Sequence, residues 1–570
     1  MRDQKFISEL FSENSEFILV GLTGRTGSGC TTTADILENK KISLPELEDI
    51  DDFYQGLDKK RYSIVKKFAE ENWHGFHSIK VSDLISMYLI NMGEKKLSEF
   101  VSKKITTKKN KTNEIRLETI EKNKEKIKDQ IGKILNHNEK TESIISEKED
   151  FSETIKLTRK ITENIKNELN KIEKGLYVSV YQSAGKSIRR IGKVDIDYEK
   201  QKFIPKSVFH LPETINRAIK IIRKKEKKAY IVIDAIRNPY EAKFFKDRYA
   251  AFHLISINAP DEHRTKYLQA LHKFSAEQIE AIDTEESGKG NGEYKHLTNP
   301  DVKKCIELSD IHIYNPKNEF DNTNILKAQL AWYISLMQHP GLISPTSMER
   351  VMQVAYSVKL NSGCISRQIG ATVTDKENSI KSVGWNDVPK GQTPCSMRSL
   401  DGLMSKFDKK TYSSYERNNK DFRKKAKEKL EKFEAKENKI EVFKGRTLSY
   451  CFKDIHNSID NKGNQVHTRA LHAEENAFLQ LTGSGVDGIK GGKLYTTASP
   501  CELCAKKAYQ LGISEIVFID PYPGITKDHI INIGNNPPKL IQFRGSIGKS
   551  YHRLYEQVIP IKDELENMLD

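Results

Sequence analysis

His472, Glu474, Cys501 and Cys504 are the residues of this chain whose types and spacing best fit chemistry, in the segments Leu471-His-Ala-Glu-Glu-Asn-Ala477 and Ser499-Pro-Cys-Glu-Leu-Cys504. One imidazole and two thiolates make a soft three-donor set for a zinc ion. Three protein ligands leave the fourth position open to water, as a catalytic rather than a structural site requires. Cys501 and Cys504, three apart at an expected helix start, share a face, and the positive end of that helix favours thiolates. His472 and Glu474, two apart, point in different directions, so the imidazole reaches the metal while the carboxylate reaches the water. A zinc ribbon would need a fourth protein ligand and would leave Glu474 without a role. The set reads as metal-assisted hydrolysis with Glu474 as general acid and base.

A second chemical segment lies near the start. The apolar stretch Phe17–Val20 runs into Gly24-Arg-Thr-Gly-Ser-Gly-Cys-Thr31 and then a helical pattern. This fits the phosphate-loop pattern G-x-x-x-x-G-K-[ST] except that Cys30 replaces the lysine. Gly24, Gly27, Ser28, Gly29, Cys30, Thr31 and Thr32 are the expected nucleotide-binding positions, through backbone N–H groups and a helix N-terminus. The point charge that follows the β/γ-phosphates during transfer is missing, which argues against a working kinase. Asp234, ending an apolar strand, is a candidate Mg²⁺ ligand with Thr31, and Arg237 and Arg264 are candidates to face phosphate. A strand-end turn and solvated surface are the alternatives for these three.

The elements that must position these residues follow from periodicity. Phe17–Val20, Tyr230–Asp234 and His253–Ile257 are buried-strand candidates separated by helix-like sequence, as a parallel sheet with crossover helices requires. The stretch 103–174 interrupts them. It is rich in Lys, Glu, Asn and Ile, and Ile120, Ile127, Ile131 and Ile134, then Phe151, Ile155, Ile161, Ile165, Leu169 and Ile172, recur at helical spacing. Two helices folded as a hairpin or coiled coil are expected, with a solvated charged face and a possible part in oligomerisation. Gln338-His-Pro-Gly-Leu-Ile-Ser-Pro345 punctuates the chain before a helix near Ser347 and a new run of strands, including Lys493–Thr497. The expected domains are therefore 1–338, with the helical insert, and 339–570, with a charged insert at 405–439 that projects as a helix.

At 570 residues the chain exceeds one core, taking about 150 residues per domain. A net charge of +15 attracts nucleotides, nucleic acid or anionic surfaces without choosing among them. Seven cysteines over this length do not form a secreted disulfide framework, the opening MRDQKFISELFSENSEF lacks the order of a secretion signal, and no apolar run is long enough for a membrane span. A cytoplasmic protein is the expectation.

The H-x-E with P-C-x-x-C pattern is the signature of zinc nucleobase deaminases, in which hydroxide attacks C4 of cytosine and the glutamate returns the proton as ammonia leaves. Residues 347–525 resemble bacterial and phage deoxycytidylate deaminases of the cytidine-deaminase superfamily. The resemblance is carried by Ser362-Gly-Cys-Ile-Ser-Arg-Gln-Ile-Gly-Ala371, Val383-Gly-Trp-Asn-Asp-Val-Pro389, His472-Ala-Glu474 and Thr497-Ala-Ser-Pro-Cys501. It implies a three-layer α/β/α domain in which Asn386 contacts deoxyribose or base, with Arg367 at the phosphate and Ala473 and Ser499 also lining the substrate. It further implies a second, structural zinc near Cys364 and Cys395, with buried free cysteines as the alternative.

The whole chain, with GLTGRTGSGCT, Gln182-Ser-Ala-Gly185 and Ile233-Asp-Ala-Ile-Arg-Asn-Pro239 ahead of that domain, is similar to bacterial anti-phage dCTP/dCMP deaminases. That resemblance implies zinc-dependent conversion of dCTP or dCMP to the uracil nucleotide, a P-loop NTPase-like parallel-sheet domain in a regulatory role, and a homo-oligomer. A regulatory nucleotide, with Mg²⁺, or an RNA is the further partner expected. The competing class is an RNA or single-stranded DNA cytosine deaminase, which the net charge favours and the aromatic-poor basic inserts disfavour.

Overall fold

A computed structural model describes residues 7–569 apart from 8, 106–130, 137–147, 289–293, 406–407, 436–442, 462, 464–465, 484–488 and 521–525. The chain divides into two compact units, Met1–Pro345 with Arg544–Asp570, and Thr346–Phe543.

The first unit is built on parallel strands β1 (Phe17–Thr23), β2 (His77–Lys80), β3 (Ala229–Asp234), β4 (Phe252–Asn258) and β5 (Ile311–Tyr314), in the order β5-β4-β1-β3-β2. β1, β3 and β4 are near-continuous apolar runs buried along almost their whole length, as central strands covered on both faces must be. Strand alternation sorts their side chains into two cores. Val20, Tyr230, Val232 and Ile255 lie in one with Ala34 and Leu37 of helix α1 (Cys30–Glu38). Leu19, Ile231, Ile233 and Leu254 lie in the other with α2 (Val81–Asn91), α3 (Lys148–Ile172) and α4 (Leu176–Ile191). Further along come α5 (Asp261–His272), α6 (Ala276–Glu286) and α7 (Asn324–Gln338).

The expected helical insert corrects in one respect. Ile120 and Ile127 lie outside the described residues. The second arm, α3, does form, but its apolar face is not a free coiled-coil seam: Ile161, Ile165 and Leu169 are buried in the sheet's own core and α3 packs on α2 and α4. Thr162 Oγ1 donates to Ser86 Oγ of α2 at 2.8 Å. A 3.6-residue apolar period names a helix with one buried face, but it cannot name the surface that buries it.

The second unit has a sheet of β6 (Gly370–Thr374), β7 (Ile380–Trp385), β8 (Lys493–Ala498), β9 (Glu515–Asp520) and β10 (Lys539–Gln542), in the order β10-β9-β8-β6-β7. β10, β9 and β8 run parallel, while β6 is antiparallel to both its neighbours. β6 and β8 are buried at nearly every residue, so both their faces are covered. Helix α8 (Ser347–Val358) starts at a capping box in which Thr346 and Glu349 bond each other's backbone N–H. The charged insert also forms a helix, α9 (Lys420–Glu434). It does not simply project, since Phe422 and Ala426 are buried with Leu400, Leu403, Tyr412 and Tyr450. Two more helices, α10 (Ala473–Gly483) and α11 (Glu502–Gln510), carry the chemical segments.

After β10 the chain returns to the first unit, contrary to the expectation that residues 339–570 form one domain. β11 (Gly545–Ser546) pairs antiparallel with β5, and α12 (Gly548–Tyr555) packs on α7. Ser550 Oγ lies 2.8 Å from His253 Nδ1 of β4, and Gly341 N–H donates to Leu554 O at 2.9 Å. A two-residue strand and a two-turn helix carry no periodic signal, and their partners are distant in sequence. Leu554, 1% exposed, sits in the core with Trp332. Leu554→Ala is expected to cost about 3 kcal/mol and to lower the melting transition of the first unit. An unchanged melting profile would remove the C-terminal segment from that core.

Candidate functional site

The site in the second unit is assembled where α10 and α11 begin. His472 precedes α10, and Cys501 is the N-cap of α11 with Cys504 in its first turn. Cys501 Sγ lies 3.3 Å and Cys504 Sγ 3.5 Å from His472 Nδ1, and the three donor atoms are mutually within 4.8 Å. A hydrogen bond from Cys504, with His472 beside it, brings the Cys501 thiol down to about 3, while that bond and burial push Cys504 up. Two sulfur atoms and an imidazole nitrogen converge here on one point with no carboxylate among them. A soft cation fits the set, and it would hold both thiols ionised.

Glu474 is 4% exposed, and burial pushes its carboxyl above the usual carboxylate range. Thr496 Oγ1 of β8 donates to Glu474 Oε1 at 3.1 Å. A buried carboxylate whose proton affinity is raised is suited to taking and returning a proton.

The helix that carries this group lies against β7 because residue 384 has no side chain. A Cβ there would overlap Ala473 O and Ala477 N. Two side-chain bonds fix the approach: Ser382 Oγ donates to Ala477 O at 2.9 Å, and Asn476 Nδ2 donates to Trp385 O at 3.0 Å. Ala473, expected at the substrate, is fully buried at this contact, and Ser499 is half-buried between β8 and Cys501.

Asn386 and Arg367 have partners of their own. Asn386 Oδ1 accepts from Ile369 N–H at 2.7 Å and its Nδ2 donates to Arg367 O at 2.8 Å, so this amide holds the 362–369 segment in place. Arg367, expected at the substrate phosphate, instead donates to Asp520 at 2.9 Å, a carboxylate with no exposure. Among the described residues Cys364 and Cys395 do not join a three-donor cluster. Gly384, Thr496 and Asp520 contact the candidate site residues, and residue type alone does not single them out. The glycine in Val383-Gly-Trp385 was the one signal at hand, because a glycine inside a strand marks close backbone approach.

In the first unit, β1, the glycine-rich turn and α1 follow in the expected order. Gly27 and Gly29 have φ of +86° and +112°, and a Cβ at Gly24 would overlap Ser28 Oγ. Ser28 is buried, and its carbonyl accepts from Asn315 Nδ2 at 2.8 Å. Cys30 is buried and burial raises its thiol to about 12, so the loop carries no charge at this position. Thr31 Oγ1 donates to Asp234 Oδ2 at 3.1 Å, and Thr32 lines the same cavity of about 410 Å³. The two arginines expected at phosphate are ion-paired instead, Arg237 with Glu286 and Arg264 with Asp283. Glu286 also accepts from Thr26 N–H at 3.0 Å.

Residues 345–520 match the family described as the cytidine and deoxycytidylate deaminase zinc-binding region. The second unit thus carries a deaminase domain with a cytidine-deaminase-like fold, and the chain is a hydrolase of that class. It is similar to the deoxycytidylate deaminase of Enterobacteria phage T2, 29% identical over 30% of this chain and 79% of that one. The deoxycytidylate deaminase of Enterobacteria phage T4 is also 29% identical, over 33% of this chain and 89% of the phage protein. A dCMP deaminase structure from the cyanophage S-TIM5 covers 35% of this chain and 100% of its own, at 18% identity and a TM-score of 0.20.

Gly384→Val is expected to destabilise the second unit by about 1–3 kcal/mol through overpacking and to abolish deamination. Calorimetric melting together with an activity assay checks this, and wild-type values for both would remove the helix–strand contact from the site's requirements.

Proposed function

We propose that the second unit deaminates free deoxycytidine nucleotides, dCMP or dCTP, to the uracil forms, with His472, Cys501 and Cys504 holding zinc. The observation that carries this is the convergence of the three donor atoms next to the buried Glu474. Zinc bound there supplies a Lewis acid that lowers the pKa of a water. Glu474 takes one proton from the attacking water and delivers it to N3 of the cytosine ring, then takes the second from the C4 hydroxyl so formed and delivers it to the amine, which leaves as ammonia as the C4–N bond breaks and C4=O forms. Thr496 fixes the carboxylate for that transfer, and Asn386 and the Arg367–Asp520 pair shape the segment that faces the nucleotide. Burial of Glu474 and Cys504 excludes bulk water from the proton path.

We further propose that the glycine-rich loop binds a nucleotide, with Asp234 and Thr31 as Mg²⁺ ligands, and that this binding biases the deaminase, as differential affinity for two states allows. Depletion of deoxycytidine nucleotides during phage infection, in a homo-oligomeric enzyme, is the cellular role that the sequence resemblance implies. Among the described residues no helix is long and apolar enough to cross a membrane.

Purified protein given dCMP, dCTP, CTP, cytidine or a cytosine-containing single strand, with products separated by chromatography, tests the main reading. Loss of dCMP or dCTP to the uracil form is expected, with Glu474→Ala slower by about 10²–10⁴-fold; turnover of the strand alone would replace this reading with a nucleic-acid editor. Thr496→Val is expected to slow turnover about tenfold, the scale of one lost hydrogen bond to a charged group, with zinc content by mass spectrometry unchanged.

A further inference from the structure

The cavity beside the glycine-rich loop is walled by Gly27, Gly29 and Cys30, by Lys166 of α3 and by Tyr181 and Gln182 of α4. Its volume of about 410 Å³ falls within the range of small-molecule sites. Three arginines also line it, and each is already neutralised: Arg25 pairs with Asp261 and Asp283, Arg189 with Glu241, and Arg237 with Glu286. Lys166 differs from them. Among the described residues no carboxylate lies within ion-pair distance of it. Its Nζ donates to Ser82 Oγ at 3.3 Å and stands 5.8 Å from the centre of the Tyr181 ring. Asp83 and Asp234 act on it only at longer range, and burial lowers its proton affinity.

A second group on the same wall is unsatisfied. Gln182 Nε2 is buried and has no hydrogen-bond partner among the described residues. A half-buried ammonium without a carboxylate and a buried amide without an acceptor are both costly when left so, and an anionic, hydrogen-bonding occupant relieves both. The loop itself cannot supply the cation, because a neutral thiol stands where the phosphate-loop lysine would be.

Resting on the proposal that this loop binds a nucleotide, we infer that Lys166 supplies the cation that position 30 lacks. The cavity takes a nucleoside phosphate whose phosphate group lies between the loop and Lys166 Nζ, with Gln182 donating to the same ligand. The lysine has in effect moved from the loop to a helix of the insert, so the insert completes the site. Lysine serves phosphate as a point charge on a flexible stem, and its charge tolerates a change of origin better than a bidentate arginine would.

Isothermal titration calorimetry on the full chain carrying Glu474→Ala, with ATP, GTP, dATP, dTTP and inorganic tripolyphosphate as probes, tests this. Thr32→Asp, which places a carboxylate in the cavity at a helix start that tolerates it, defines the loop-dependent part of any binding. Lys166→Gln is expected to weaken that part at least about tenfold, the loss of one charge-assisted bond, and Lys166→Arg to retain most of it. Adding Cys30→Lys to Lys166→Gln is expected to restore affinity, which a merely structural lysine would not show. Unchanged affinity in Lys166→Gln overturns the inference and leaves the loop proposal standing. Failure of Cys30→Lys to restore lost binding assigns Lys166 a structural part and also overturns it. Absence of any loop-dependent binding in the wild type overturns the loop proposal and the inference together.

Discussion

The deaminase site depends on a backbone approach that only glycine permits at position 384. With no Cβ there, the start of α10 settles onto β7, and Ala473 O and Ala477 N occupy the space that any side chain would need. Everything chemical follows from that seat. It sets Glu474 within reach of Thr496 on β8 and His472 within reach of the two thiols on α11. A single atom at position 384 would move the imidazole and the carboxylate together, because His472 immediately precedes α10 and Glu474 lies in its first turn.

Much of this was legible in the sequence where the chemistry is local. His472, Glu474, Cys501 and Cys504 are close in sequence within two pairs, and each pair's geometry is set by a helix start. The apolar runs at 17–20, 230–234 and 253–257 named their strands for the same reason. What the residues could not disclose is which distant group answers which. Arg367, Arg237 and Arg264 read as candidate phosphate ligands, and all three are held by carboxylates far along the chain, at Asp520, Glu286 and Asp283. Charge type predicts an anionic partner, but a folded interior offers its own anions first. The apolar period of α3 was clear, yet its partner, the parallel sheet's core, becomes visible only after folding.

The two units handle charge differently. In the deaminase unit, Arg398, Glu416 and Tyr450 form a wholly buried network, which Arg469 extends. Removing one member of such a network leaves an uncompensated charge inside, so it holds the short helix Ser414–Asn418 that carries Glu416 more firmly than surface pairs would. Near the glycine-rich loop, the acids of α5 and α6 take up the arginines instead. Asp261, Asp283 and Glu286 bind Arg25, Arg264 and Arg237 along one side of the loop, so this region holds its shape by ion pairs among its own side chains.

The return of residues 544–570 to the first sheet also sets an order of assembly on the ribosome. Synthesis runs from the N-terminus, and domains generally fold as units while the chain emerges. The deaminase unit, complete at Phe543, has all of its strands before the first unit receives β11 and α12. The face of α7 near Trp332 therefore lacks the cover of α12 while a whole catalytic unit is translated. Of the two units, the one begun earlier is the later to close.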